Sequence, residues 1–197
     1  MTQMHMDISV FQKPKKGNYY CGDSYYYKET EQGFICALAD GLGSGEYAKE
    51  SSQLVMDIIE SNTNASVEQI IKVCNQKLVG KRGVVLGILK VDFNEKNYTF
   101  SSIGNIGLMT ISSKSEKKRN IPNAGYIGGF PRPLKVLRDN LLDEMVFVMF
   151  SDGVDSLDLS SSYFLGKDVS KITELFSHFL SDSIKDDTTL LVMKYNA

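Results

Sequence analysis

Five aspartates hold the chemistry this sequence could perform: Asp23, Asp40, Asp152 and the adjacent pair Asp186 and Asp187. Each stands where an apolar or strand-like run meets a loop, beside Gly, Ser, Thr or another acid. The stretch Phe34-Ile-Cys-Ala-Leu-Ala-Asp40-Gly-Leu-Gly-Ser-Gly45 shows the pattern most fully. A carboxylate leaving a buried strand is costly unless something positive meets it: a helix N-terminus, a basic side chain or a metal ion. If these corners converge, the carboxylates raise one another's pKa values, and a divalent cation removes the conflict. Oxygen ligands select Mg2+ or Mn2+ over zinc, with several waters retained. Two such ions about 3.5–4 Å apart can bridge a hydroxide and clamp a phosphoryl group for in-line attack. That chemistry needs no Cys or His nucleophile. The chain has only His5 and His178, and Cys21, Cys36 and Cys74 form no CxxC. His-rich metal sites and His-dependent nucleophilic schemes are therefore disfavoured.

The 197 residues, 42% hydrophobic and 23% charged, suit one globular domain spanning 1–197, with no internal repeat or linker. A net charge of -2 offers no electrostatic case for nucleic acid or an anionic membrane. No apolar run approaches the roughly 20 residues of a bilayer span. Met1–Asp7 lacks the layout of a signal peptide. Two of the three cysteines sit in apolar runs and read as buried reduced thiols, so the expected compartment is the cytoplasm.

The elements that must position the acids can be read in order. A short strand opens at Asp7–Phe11. Gly22–Lys28 and Phe34–Ala39 read as an antiparallel hairpin, which brings Asp23 and Asp40 to the same end. From Gly45 the period changes: Ala48, Ser51, Val55, Ile58 and Ile59 share a helix face, with Ser44 as the expected cap. Val67, Ile70, Ile71, Cys74 and Leu78 mark a second helix capped by Ser66, with Gly80 past its end. Strands at Gly83–Val91, Asn97–Ile103 and Gly107–Ser112 read as a meander. Ser112–Asn120 reads as a solvated basic loop, Asn123–Pro133 as an irregular loop long enough to flank a site, and Leu134–Arg138 as an edge strand. Met145–Phe150 is an apolar strand ending in Ser151-Asp-Gly153. Val169, Ile172, Leu175, Phe176, Phe179 and Leu180 form an amphipathic helix, and Leu190–Tyr195 is the last strand.

Four motifs stand in register: Gly22-Asp23-Ser24, Ala39-Asp40-Gly41-Leu42-Gly43-Ser44-Gly45, Ser151-Asp152-Gly153 and Asp186-Asp187-Thr188-Thr189. Asn75-Gln76, Lys81-Arg-Gly83, Ser102-Ile-Gly-Asn105 and Gly125-Tyr126 support them. From about residue 20 onward the chain resembles the metal-dependent serine/threonine phosphatases of the type two C superfamily, in the bacterial branch of the SpoIIE and RsbU phosphatases. Within that branch it is most similar to the short stand-alone phosphatase of the sigma-B stress module. The resemblance implies an α+β fold, a four-layer αββα sandwich of two mainly antiparallel sheets flanked by helices. It also implies two Mn2+ or Mg2+ ions. Asp40 would bridge both, the Gly41 carbonyl would ligate one, and Asp152 and Asp186 the other, with Asp187 as the neighbouring alternative. Asp23 would hold metal-bound water, and metal-bound hydroxide would be the nucleophile.

Two departures stand out. Leu42 occupies the place of a His proposed as general acid in many eukaryotic relatives, and Asn18 matches the region of their phosphate-holding Arg. Protonation by metal-bound water, and phosphate held mainly by metals, is what remains. The implied substrates are phosphorylated stressosome proteins of RsbS and RsbR type, and the implied role is negative feedback on sigma-B by a monomeric enzyme. The competing class is a non-catalytic phosphoprotein-binding module on the same fold. A dinucleotide loop fits less well, because Glu46 stands where Gly or Ala is wanted and Asp40 would repel pyrophosphate. Asp155 and Asp158 fail the EF-hand spacing. His178 reads as a helix-surface residue.

Overall fold

Side-chain alternation along the strands sets the layers, because successive residues face opposite sides of a sheet. The structure, a computed structural model, describes residues 4–180 and 184–197. Residues 1–3, part of the stretch read as lacking a signal peptide, lie outside that range. The chain starts with β1 (Met6–Lys13), β2 (Asp23–Glu29) and β3 (Gly33–Gly41), followed by α1 (Glu46–Ser61) and α2 (Val67–Lys77). Strands β4 (Val84–Asp92), β5 (Asn97–Ile103), β6 (Gly107–Ile111), β7 (Lys117–Arg119), β8 (Leu137–Asn140) and β9 (Val146–Phe150) come next. Then follow α3 (Ser156–Ser160), a 3-10 turn (Ser162–Leu165), α4 (Val169–Phe179) and β10 (Thr188–Tyr195). One sheet has the order β1-β10-β9-β6-β7 and the other β2-β3-β4-β5-β8, with every pairing antiparallel.

Cys36, Leu38, Leu89 and Phe100 from one sheet meet Leu108, Phe147, Met149, Leu191 and Met193 from the other. Their alternates, Ile35, Ala37, Ala39, Leu86 and Ile88, pack outward on Val55, Ile59, Ile70 and Cys74 of α1 and α2. On the opposite flank, Val148, Phe150, Leu190 and Val192 pack on Leu159, Ile172 and Phe176 of α3 and α4. The result is the expected α+β sandwich of helices, sheet, sheet and helices. Burial pushes the Cys74 thiol up to about 12 and the Cys36 thiol higher still, and all three cysteines are free.

Several local expectations are corrected. The meander breaks after β5: β6 leaves at Gly104-Asn105 and pairs with β7 and β9 in the other sheet. Turn composition signals a reversal but not which sheet receives the next strand. Ser44 does not cap α1; Gly45 is the N-cap and makes no side-chain bond. Ser66 does cap α2, in a reciprocal capping box with Gln69. The basic loop contains β7, the edge strand lies at Leu137–Asn140, and α3 with its 3-10 turn is too short to leave a periodic signal. Phe179, assigned to the apolar stripe of α4, is 66% exposed.

Candidate metal centre

The sandwich brings acids to one end through register. Asp23 lies directly opposite Asp40 across the β2–β3 pair. Cys36 and Leu38 face the inter-sheet core, so two-residue alternation turns Asp40 and its partner Asp23 toward the same interior. On the facing sheet the same parity, continued from Phe147 and Met149 and back from Leu191, delivers Ser151 and Thr189. Their hydroxyls both donate to Asp23 Oδ2, at 2.7 and 2.6 Å. Asp23 is fully buried, and its Oδ1 has no partner. Lys49 reaches in only as far as the Asp23 carbonyl and Ser24 Oγ, at 2.9 Å each, and leaves the carboxylate alone.

Asp40 ends the buried run of β3. Among the described residues no ion pair reaches any of the five aspartates. Of the three positive groups that could meet Asp40, a basic side chain is therefore not used. Gly41 follows on the strand, where a Cβ would lie 2.0 Å from the Ala48 carbonyl oxygen. The glycine thus lets α1 press against the site. Gly41→Ala is expected to destabilise the fold by about 2–3 kcal/mol or more, through displacement of α1, read as a lower midpoint in urea unfolding. An unchanged midpoint would mean that the helix contact is slack. Leu42 packs against the inter-sheet core rather than offering an acid.

Asp152 leaves β9 one residue after Ser151 and remains open to solvent, with its Oδ2 accepting from Asn105 Nδ2 at 2.8 Å. Asp186 and Asp187 separate sharply. Both Asp187 oxygens accept backbone N–H groups, from Lys15 and Gly22, at 2.7 Å each, which ties the β1–β2 connection to the start of β10. Asp186 is exposed; one of its oxygens accepts the N–H of Asp187 at 2.9 Å.

The acids sense one another. Burial, followed by the charges of Asp23, Asp152, Asp186 and Asp187, pushes the Asp40 carboxyl up to about 8. Burial also raises Asp23 to about 6, against the hydrogen bonds from Thr189 and Ser151 that favour its charged form. Asp152 is raised by the partial shielding of its carboxyl among its neighbours, although the residue keeps an open face, and by Asp186, and Asn105 opposes the shift. Among the described residues no three acid, His or Cys side chains close into a ready-made cage. An open corner of carboxylates suits a hard cation that keeps much of its water. The donors are all oxygen, and the orphaned Asp23 Oδ1 is an acceptor waiting for a donor such as a bound water. The residues fit Mg2+ or Mn2+.

Asn105, Ser151 and Thr189 lie inside the sequence motifs, which by themselves assign them no role. Their signal was adjacency: a polar side chain one residue from a motif acid or just after a glycine turn.

A two-sheet sandwich between helix layers, with carboxylates gathered at one end of the sheets, defines the class of metal-dependent protein phosphatases of type two C. No family model matches the chain. It is 35% identical over 188 residues to the phosphoserine phosphatase RsbX of Bacillus subtilis (strain 168), covering 95% of this chain and 94% of that protein. A crystal structure of RsbX in complex with magnesium superposes with a TM-score of 0.91 at 33% identity, over 98% of this chain and 97% of that one. Stage II sporulation protein E of Priestia megaterium is 25% identical over 158 residues, which is 76% of this chain and 27% of that protein. The chain belongs to the type two C family of metal-dependent serine/threonine phosphatases, in the RsbX group of its SpoIIE and RsbU branch. It is an enzyme of the phosphoric monoester hydrolase class.

Proposed function

We propose that this chain, acting as a single cytoplasmic domain and a monomer, dephosphorylates serine or threonine on stressosome proteins of RsbS and RsbR type, and so damps sigma-B activation. The likeness to RsbX over nearly the whole chain supports the substrate class. Among the described residues no helix is long and apolar enough to cross a membrane. The observation that carries the chemistry is the meeting of Asp40, Asp152 and Asp186 at one end of the sandwich with no cation partner among the described residues and with raised carboxyl pKa values at Asp40 and Asp152.

In this reading Asp40 would serve both Mn2+ or Mg2+ ions, the Gly41 carbonyl would join at one, and Asp152 and Asp186 would hold the other. When bound, such ions supply an activated water and offset the charge that develops on the phosphoryl group. Asp186 is favoured over its neighbour Asp187, because backbone N–H groups already bind each Asp187 oxygen while Asp186 is exposed. Asp23 would orient water through Oδ1, while Ser151 and Thr189 fix its other carboxylate oxygen, Oδ2. Asn105 holds Asp152 in one rotamer. The loop 123–133 is fastened to α2 by the Gly129 N–H donating to Asn75 Oδ1 at 2.8 Å, which suits a flap that meets the substrate protein.

Turnover of para-nitrophenyl phosphate with Mn2+, and its loss on adding chelator, tests the reading. The expected result is metal-dependent hydrolysis of that ester and of a phosphoserine protein. If neither is hydrolysed with Mn2+ or Mg2+, the chain is a phosphoprotein-binding module instead.

A further inference from the structure

The loop that follows Asp40 carries a cation, Arg82, that the proposed chemistry leaves without a task. Gly41 pairs with Val84, the Leu42 N–H donates to the Gly83 carbonyl at 2.9 Å, and the residue before Gly83 is Arg82. At about 3.3 Å per residue, Arg82, two residues before β4, lies up to roughly 10 Å along the chain from Val85, the partner of Asp40. Its Nη1 donates to the Leu42 carbonyl at 3.2 Å. A Cβ on Gly43 would lie 1.9 Å from that nitrogen, so the guanidinium rests on the loop that follows Asp40. Gly43 also has φ +98, so the position excludes a side chain for two separate reasons. On the other side, the ring of Tyr47 lies 5.6 Å from the guanidinium carbon.

Arg82 is therefore held without being neutralised. Its neighbour Lys81 is paired with Glu50 at 2.8 Å, but among the described residues Arg82 forms no ion pair. A guanidinium carries five donors in a planar fork, and one of these is spent on Leu42. Arg82 itself lines an open cleft with Leu42, Gly43, Lys81, Gly83, Tyr126 and Gly128, in a chain whose net charge is -2. Stacking on Tyr47 and the bond to Leu42 fix the fork in advance, which lowers the entropy lost when an anion binds. A tetrahedral dianion is the ligand such a fork fits best.

We infer that Arg82 anchors the phosphate of the substrate beside Asp40, so that the phosphate is not held by metal ions alone. The inference rests on the phosphatase reading above and assigns a phosphate contact to a residue outside the acid motifs. It also explains how a chain with Asn18 in the region of the relatives' phosphate-holding Arg still meets that charge with a fork.

The test compares wild type, Arg82→Ala and Arg82→Lys, all loaded with Mn2+. Binding of inorganic phosphate is measured by calorimetry, and kcat and KM with para-nitrophenyl phosphate. Losing a charge-assisted fork is expected to weaken phosphate binding and raise KM about tenfold in Arg82→Ala. Arg82→Lys should fall between, because it keeps the charge and loses the fork. Mn2+ affinity and melting temperature should stay at wild-type values, which separates anchoring from a structural role in the Gly41–Gly45 loop. Unchanged phosphate affinity in Arg82→Ala, or a loss matched by weaker Mn2+ binding, overturns the inference. A wild type without turnover would sink the phosphatase reading by itself. Calorimetry still tests Arg82 in that case, and a wild type that binds no phosphate also overturns it.

Discussion

Asp40→Asn is expected to lower metal-dependent turnover about a thousandfold or more, while the chelated protein melts a few degrees higher than wild type. The two effects have one origin. Asp40 sits at the end of a buried strand with its pKa pushed up to about 8 by burial and by Asp23, Asp152, Asp186 and Asp187. Without a cation, its charge is a cost to the fold, and the isosteric amide removes that charge without opening a cavity. With a cation, the same charge is the strongest ligand at the corner, and an amide oxygen is a poor replacement. A loss of about 4 kcal/mol of transition-state stabilisation corresponds to about a thousandfold in rate. Asp152→Asn should abolish turnover similarly while folding remains cooperative, with a smaller gain in stability because that side chain is open to solvent. Near-full activity in either variant would overturn the ligand assignment. A lower melting temperature for chelated Asp40→Asn would show that the carboxylate stabilises the fold rather than straining it.

The second large effect links pH, metal and stability. Folded Asp40 titrates near 8 and folded Asp23 near 6, whereas an unfolded aspartate titrates near 3.8. Between these values the folded chain holds more protons than the unfolded chain, so stability falls as pH rises from about 4 to about 8. Below the unfolded pKa both states are protonated and this cost vanishes; above the folded pKa it is present in full. The chelated protein is therefore expected to lose several degrees in melting temperature between pH 5 and pH 8. Ligand carboxylates must be ionised to bind a cation, so Mn2+ or Mg2+ affinity should rise over the same interval. The stabilisation by added metal should then be largest at pH 8. Thermal melts across this range, with chelator and with excess Mn2+, measure both slopes. A chelated protein whose stability is flat or rises with pH would show that the acids do not carry the strain ascribed to them.

Much of this protein was legible in one dimension. The five acids, their positions at strand ends, the hairpin that pairs Asp23 with Asp40, the Ser66 cap of α2 and the buried cysteines all follow from local pattern and residue type. Motif order along the chain led to the family and its layered fold, and the whole-chain match to RsbX agrees. These features depend on periodicity and spacing, which a sequence states directly.

What only the tertiary structure decided depends on which groups meet across the sandwich. The motif favours Asp186 over Asp187 without giving the physical reason. Folding separates them, because the Lys15 and Gly22 N–H groups, more than 160 positions away, occupy both oxygens of Asp187. The switch of β6 to the facing sheet, the hydroxyls of Ser151 and Thr189 that hold one oxygen of Asp23, and its other oxygen left bare belong to the same class. So does Arg82, laid on the glycine loop by a strand register that local pattern does not encode. The sequence named the acids of the corner. Long-range pairing decided which are bound by the protein itself and which stay open, since a hydrogen bond between distant residues is a property of the folded chain.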